Sequence, residues 1–377
     1  MRVGARGSSK ASNLEAPAAE PASMAISPVS VGSSGSRLQL GSASAPSPAA
    51  ARPAPAPTPT GPVPDGALQS HYAGLPSGLS PSTLAFVRAQ HATGAAAVGT
   101  DPAVEATLDD LQRRYAGGYV VDGRPAQAAP MFRMNGGFNG KLANQNEPLL
   151  RALCQKHHLG GVGMCLVGRG TPEQLVRITQ MLIDEGHLPG GEGPASDRIR
   201  QMQWQFGLGL DCVGFTWQAA KDVHGASAAR ALPEGQRANS LPTRLHGHFV
   251  KKAAHEARPG DVINLVNVNP REPGHNVIVR RNQPLDGTLQ RQLSQRSPEA
   301  RLWLLHVGPI QVLTVDSSWG AGPEGGSYGG VRTDVWMYNA RAREWASFDP
   351  KNGALEISKV GPQGERPTGA YRPRGAA

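Results

Sequence analysis

Cysteine is scarce. The 377 residues contain three, at positions 154, 165 and 212, and none belongs to a Cys-x-x-Cys pair. His246-Gly247-His248 has no cysteine or carboxylate companion at ligand spacing, so the common zinc frameworks are excluded and neither a metal nor another cofactor is expected. No stretch reaches the roughly 18 apolar residues of a membrane span. The N-terminus also lacks the apolar run of about 7–15 residues that follows the basic residues of a cleaved signal peptide. Export would need another route. Asn135–Gly140 and Gly160–Gly163 are Gly-rich but lack the Lys-Ser/Thr pair of a phosphate loop, so both read as turns.

Aromatic residues are missing altogether until Tyr72, and the segment before it is built from Ala, Pro, Ser and Gly. Such a chain cannot bury enough apolar surface to offset its conformational entropy, so residues 1–70 are expected to be a disordered leader. Its Ala51–Pro59 stretch reads as extended linker. The composition is similar to that of the leaders that bacterial effectors thread through type III secretion machines, and equally to a solvated tail. The first alternative would bring a secretion chaperone or immunity protein as partner.

Residues 71–200 are expected to form a mostly helical accessory region. Its clearest element runs from Thr171 to Gly186. Thr171 and Gln174 have capping-box spacing, Pro172 suits the first helical position, and Leu175, Ile178, Met181 and Leu182 recur at helical period.

Residues 201–350 carry the chemistry, and 351–377 read as a C-terminal tail. After the tight turn Gly207–Leu210, the residues Val213, Phe215, Trp217, Ala220 and Val223 recur at near-helical spacing until Gly225. Cys212 therefore falls at a helix N-terminus. Unpaired N–H groups and the dipole there favour thiolate over thiol, which would lower the cysteine pKa. The bland alternative is an inert core cysteine, but Asp211 and Gly214 on either side are poor core residues.

A thiol nucleophile needs an imidazole to exchange its proton and a third group to orient that imidazole. Arg258–Asp261 reads as a turn and Val262–Val266 as a strand, and Gly274-His275-Asn276-Val277-Ile278-Val279 opens a second strand. In an extended chain His275, Val277 and Val279 share one face, so His275 is expected to point at a helix packed on that face. Leu302–Val307 and Ile310–Asp316 flank Gly308-Pro309 and read as a hairpin. Asp316, at its end, is the candidate orienter, and Ser317 is the fallback.

With these residues in view, the segment from Gln203 to Phe348 resembles the NlpC-type cysteine peptidases and amidases. Asp211-Cys212-Val213-Gly214-Phe215 matches their Asp-Cys-Ser-Gly-Phe phrase apart from Val213. Pro259-Gly260-Asp261 is similar to their turn before the first barrel strand, and Gly274-His275 to their strand opening. The resemblance implies an α+β, papain-like core with Cys212 as nucleophile, His275 as base and a third position near Asp316. Where the family often has histidine at that third position, this chain has Asp316. Where it commonly has a tyrosine before the nucleophile, this chain offers Gln203, Trp204 and Gln205 as oxyanion or substrate candidates.

The expected activity is hydrolysis of peptide or amide bonds, with the peptide stems of peptidoglycan as the implied substrate. The net charge of +9 suits such an anionic polymer. Its basic residues are dispersed and not interleaved with aromatics, so nucleic acid is not expected as a partner. Two other readings keep the same segment: a secreted effector acting on a host protein as protease, deamidase or acyltransferase, and an inactive binding module.

Overall fold

A computed structural model describes residues 99–133, 140–225, 228, 249–267, 274–295, 298–305, 309–320, 329–348 and 354–374. The leader, Asn135–Asn139, His246–His248 and the glycines at 322, 325 and 326 lie outside the described residues. Cys154 and Cys165 are buried free thiols.

Helix α1 (Pro102–Ala116) starts where Asp101 accepts hydrogen bonds from the N–H groups of Ala103 and Val104. A short hairpin, β1 (Tyr119–Val121) and β2 (Arg124–Ala126), follows. Next come α2 (Gly140–Lys156), α3 (Val162–Leu166), α4 (Pro172–Asp184) and α5 (Ala195–Phe206). The reciprocal Thr171–Gln174 capping box opens α4, and its expected apolar stripe is buried. Helix α6 (Cys212–His224) stops at Gly225.

The remaining elements build an antiparallel sheet from β3 (Phe249–Lys252), β4 (Val262–Val266), β5 (His275–Pro284), β6 (Ile310–Trp319), β7 (Gly330–Asn339), β8 (Glu344–Phe348), β9 (Leu355–Ser358) and β10 (Arg366–Pro373). Helices α7 (Gly287–Ser294) and α8 (Pro298–Leu305) lie between β5 and β6 in sequence. The strand order is β3-β10-β4-β5-β6-β7-β8-β9. The architecture is α+β, and no helix among the described residues is long and apolar enough to cross a membrane.

Two expectations are corrected here. Leu302–Leu305 belongs to α8 and not to a hairpin strand, and β6 pairs with β7. A short run of Leu and Trp satisfies either period, and Pro298 followed by Glu299 favours a helix start. The segment expected as a tail supplies β9 and β10, the latter inserted between β3 and β4. Its Pro, Gly and Arg content reads as loop, but a register shift between Pro367 and Gly369 accommodates it in the sheet.

Both faces of the sheet are covered. Phe215 and Ala219 of α6 share a core cluster with Ile278, Val331 and the helices before them, while α7 and α8 cover Val312, Val335 and Phe348. On the opposite face Val277, Val279, Val315, Trp319, Trp336, Trp345 and Ala370 pack together. That second cluster joins strands from both halves of the sheet, and His255 after β3 stacks on Tyr338 of β7 with centroids 4.3 Å apart. The sheet therefore curls around this face. Helix α1 braces the helical side: Arg114 bridges to Glu173 of α4 and Asp222 of α6, while Asp109 and Glu105 pair with Arg280 and Arg281 of β5.

Candidate active site

The approach to Cys212 is stitched down by backbone bonds. Leu210 N–H donates to Met131 O (2.9 Å), its carbonyl accepts from Arg133 N–H (3.0 Å), and Asp211 N–H donates to Gly168 O (2.8 Å). Asp211 then caps α6, its carboxylate accepting from Gly214 N–H at 2.5 Å and lying 3.5 Å from the Arg169 guanidinium. Gly214 has a steric cause, because a Cβ there would stand 2.1 Å from Gly168 O. The Asp-Cys-x-Gly phrase thus encodes a cap and a close backbone approach as well as a thiol.

Cys212 occupies the first turn of α6 and is 8% exposed. Its thiol pKa is pushed up, first by burial and then by the Asp211 charge, while N–H groups of Asn276 and Val213 pull the other way. The expectation of a lowered pKa is therefore corrected: the helix terminus is present, but burial and the adjacent carboxylate outweigh it. Burial also raises the Asp211 carboxyl to about 6 against the pull of Arg169.

The pairing of β5 with β6 ends at Ile278 and Asp316, whereas β6 stays paired with β7 out to Trp319 and Gly330. The sheet splits at this rung, and the N-terminus of α6 meets it there. Ser317 Oγ of β6 donates across the split to Asn276 O of β5 at 2.6 Å, and Ser318 Oγ donates to Leu210 O at 2.7 Å. Ser317 and Ser318 thereby tie Asn276, the neighbour of His275 on β5, and Leu210, two residues before Cys212, to one point of β6.

His275 nevertheless turns away from α6. Its ring stacks on Trp319 at 4.0 Å between centroids, on the curled face, and makes no hydrogen bond to Cys212; Nε2 is buried without a partner. Helix α6 covers the face carrying Ile278, so the expectation that it packs on the His275 face is corrected. The sequence could not choose, because residues 275–280 are buried on both faces. Burial, with Arg332 nearby, lowers the imidazole pKa to about 3, which keeps the ring neutral.

Asp316 does not orient His275. Its carboxylate accepts two bonds from Arg280, at 3.0 and 2.7 Å, and one from Thr333 at 2.7 Å, which makes it an anchor for α1 and the sheet. Ser317 is occupied by its bond to the β5 backbone. Gln203 is buried and joins Thr179 to the Met131 N–H, so it is not available to an oxyanion. Trp204 and Gln205 occupy the last turn of α5, where the Gln205 carbonyl accepts from Asn146.

Sequence reasoning missed a polar chain beside the thiol. Thr368 Oγ1 donates to Asn264 Oδ1 (2.9 Å), and Asn264 Nδ2 donates to Asn276 Oδ1 (2.7 Å). Both asparagines are fully buried. Asn264 interrupts the apolar run Val262–Val266, a signal that was readable. Two open grooves, of about 600 and 570 Å³, meet at His255 and Glu256, and neither is lined by Cys212 or His275.

No protein-family model, curated protein or solved structure matches the chain.

Proposed function

We propose that the protein is a cysteine hydrolase of papain-like design that cleaves peptide or amide bonds. One observation carries the reading: the first turn of α6, which bears Cys212, meets the sheet where the β5–β6 ladder ends, and His275, with a neutral ring, begins β5 beside that point. A neutral imidazole is the form that can accept a thiol proton. In this reading His275 leaves its stack on Trp319 when substrate enters the split and takes the proton of Cys212. The thiolate attacks the carbonyl carbon, the imidazolium protonates the leaving amine, and water releases the acyl group. The resemblance of Asp211–Phe215 to the NlpC phrase and the net charge of +9 support peptide stems of peptidoglycan as substrate.

A second reading, an inactive binding module, draws on the raised thiol pKa and the unbonded imidazole. Incubation with purified sacculi separates the two. Release of stem fragments by the parent, and not by Cys212→Ala or His275→Ala, is the expected result. Intact sacculi with Cys212-dependent cleavage or deamidation in a host lysate would transfer the mechanism to a protein substrate. No Cys212-dependent product in either would leave the binding module.

A further inference from the structure

An acyl-transfer site needs donors for the negative oxygen that forms when sulfur adds to a carbonyl. Gln203, one of the sequence candidates, spends its amide on Thr179 and Met131. Asn276 does not. Its side chain is fully buried on the face that α6 covers, its Oδ1 is held by Asn264, and Asn264 is held in turn by Thr368. In this arrangement Asn264 Nδ2 donates to Asn276 Oδ1, which turns the Asn276 NH2 away from Asn264. Nδ2 is then left as a buried donor with no partner, in a residue whose carbonyl is held by Ser317 while the adjacent Ser318 holds the Leu210 carbonyl two residues before Cys212. A buried donor without a partner calls for an explanation.

We propose that the Asn276 side-chain amide is the oxyanion donor of the site, preorganised by Asn264 and Thr368. The assignment rests on Cys212 acting as nucleophile, as argued above. It is a role in the reacting complex: as the C–S bond forms, the carbonyl electron pair moves onto oxygen, and Nδ2–H stabilises that charge until the leaving group departs.

Two small probes isolate this role without the natural substrate. p-Nitrophenyl acetate acylates a thiolate through an oxyanion and expels nitrophenolate, whereas iodoacetamide alkylates it by displacement of iodide with no oxyanion. In the full chain, Asn276→Ala should slow acylation about 100-fold, at the lower end of measured losses for one such donor, while alkylation stays near the parental rate. Thr368→Val, which removes the tether and keeps the amide, should give a smaller loss in the same ratio and decides the question if Asn276→Ala does not fold. An unchanged ratio of acylation to alkylation in the folded variants, with both reactions still dependent on Cys212, would overturn the Asn276 assignment alone. Parental acylation of Cys212→Ala would remove the nucleophile and both readings together.

Discussion

The His275 imidazole lies against the Trp319 indole with centroids 4.0 Å apart, and the Arg332 guanidinium sits 4.9 Å from the same indole. Arg332 is also 4.0 Å from Asp334. Burial and the Arg332 charge bring the folded pKa to about 3, against an ordinary value of 6.5. Between these values the unfolded chain binds a proton that the native ring refuses, so stability is full above pH 6.5 and falls as pH drops toward 3. At its steepest this contributes about 1.4 kcal/mol per pH unit. His275→Gln should flatten the acid side of a plot of urea midpoint against pH. An unaltered slope would mean that the ring is solvated and free to charge.

Asp211 acts with the opposite sign. Its folded pKa of about 6 exceeds the ordinary 3.8, so the native state holds the extra proton between those values, and this contribution falls as pH rises through them. Asp211→Asn keeps an acceptor for Gly214 N–H and removes the buried charge. It should stabilise the protein at pH 7 by about 1–2 kcal/mol and move the pH midpoint of Cys212 alkylation downward. Asp211→Ala discards the cap as well, at a cost of about 1 kcal/mol relative to Asn. An alkylation profile that does not move in Asp211→Asn would show that the carboxylate leaves the thiol unperturbed.

How much could be read in advance differs by element. Helix α6 with its stop at Gly225, the α4 capping box and the strand openings at Val262 and His275 were legible because each depends on local signals within a few residues. The facing of His275 was not, since a strand buried on both sides has no polar face to give it away. The role of Asp316 was hidden for a related reason: its partners Arg280 and Thr333 lie on neighbouring strands, and no local pattern joins them. Insertion of β10 between β3 and β4 is likewise a long-range pairing carried by a segment with loop-like composition.

Gly214 provides a test of the packing that presents the thiol. Because the obstacle to a Cβ is the Gly168 carbonyl, which is itself bonded to Asp211 N–H, neither side can yield by changing a rotamer. Gly214→Ala should therefore destabilise by about 2–4 kcal/mol despite the better helix propensity of alanine. Thermal unfolding would register this as a drop of several degrees. A neutral or raised melting temperature would show that α6 can slide away from the Gly168 turn.

Asp316 and Arg280 are a buried pair, and removing one partner leaves the charge of the other less compensated in the interior. Asp316→Asn keeps the shape but removes the carboxylate that accepts two of the Arg280 bonds, so a loss of about 3 kcal/mol, the lower end for a broken buried pair, is expected. The Asp316→Leu/Arg280→Met double variant should recover much of that, because it removes both desolvated charges. The same variants separate an anchor from an orienter. If Asp316 only ties α1 to the sheet, the folded fraction of Asp316→Asn will keep the parental imidazole titration by NMR and the parental pH profile of Cys212 alkylation. If Asp316 governed the tautomer of His275, both would shift in a protein that still folds. The two bonds from Arg280 and one from Thr333 fill the carboxylate in the resting structure, so the first outcome is the one expected.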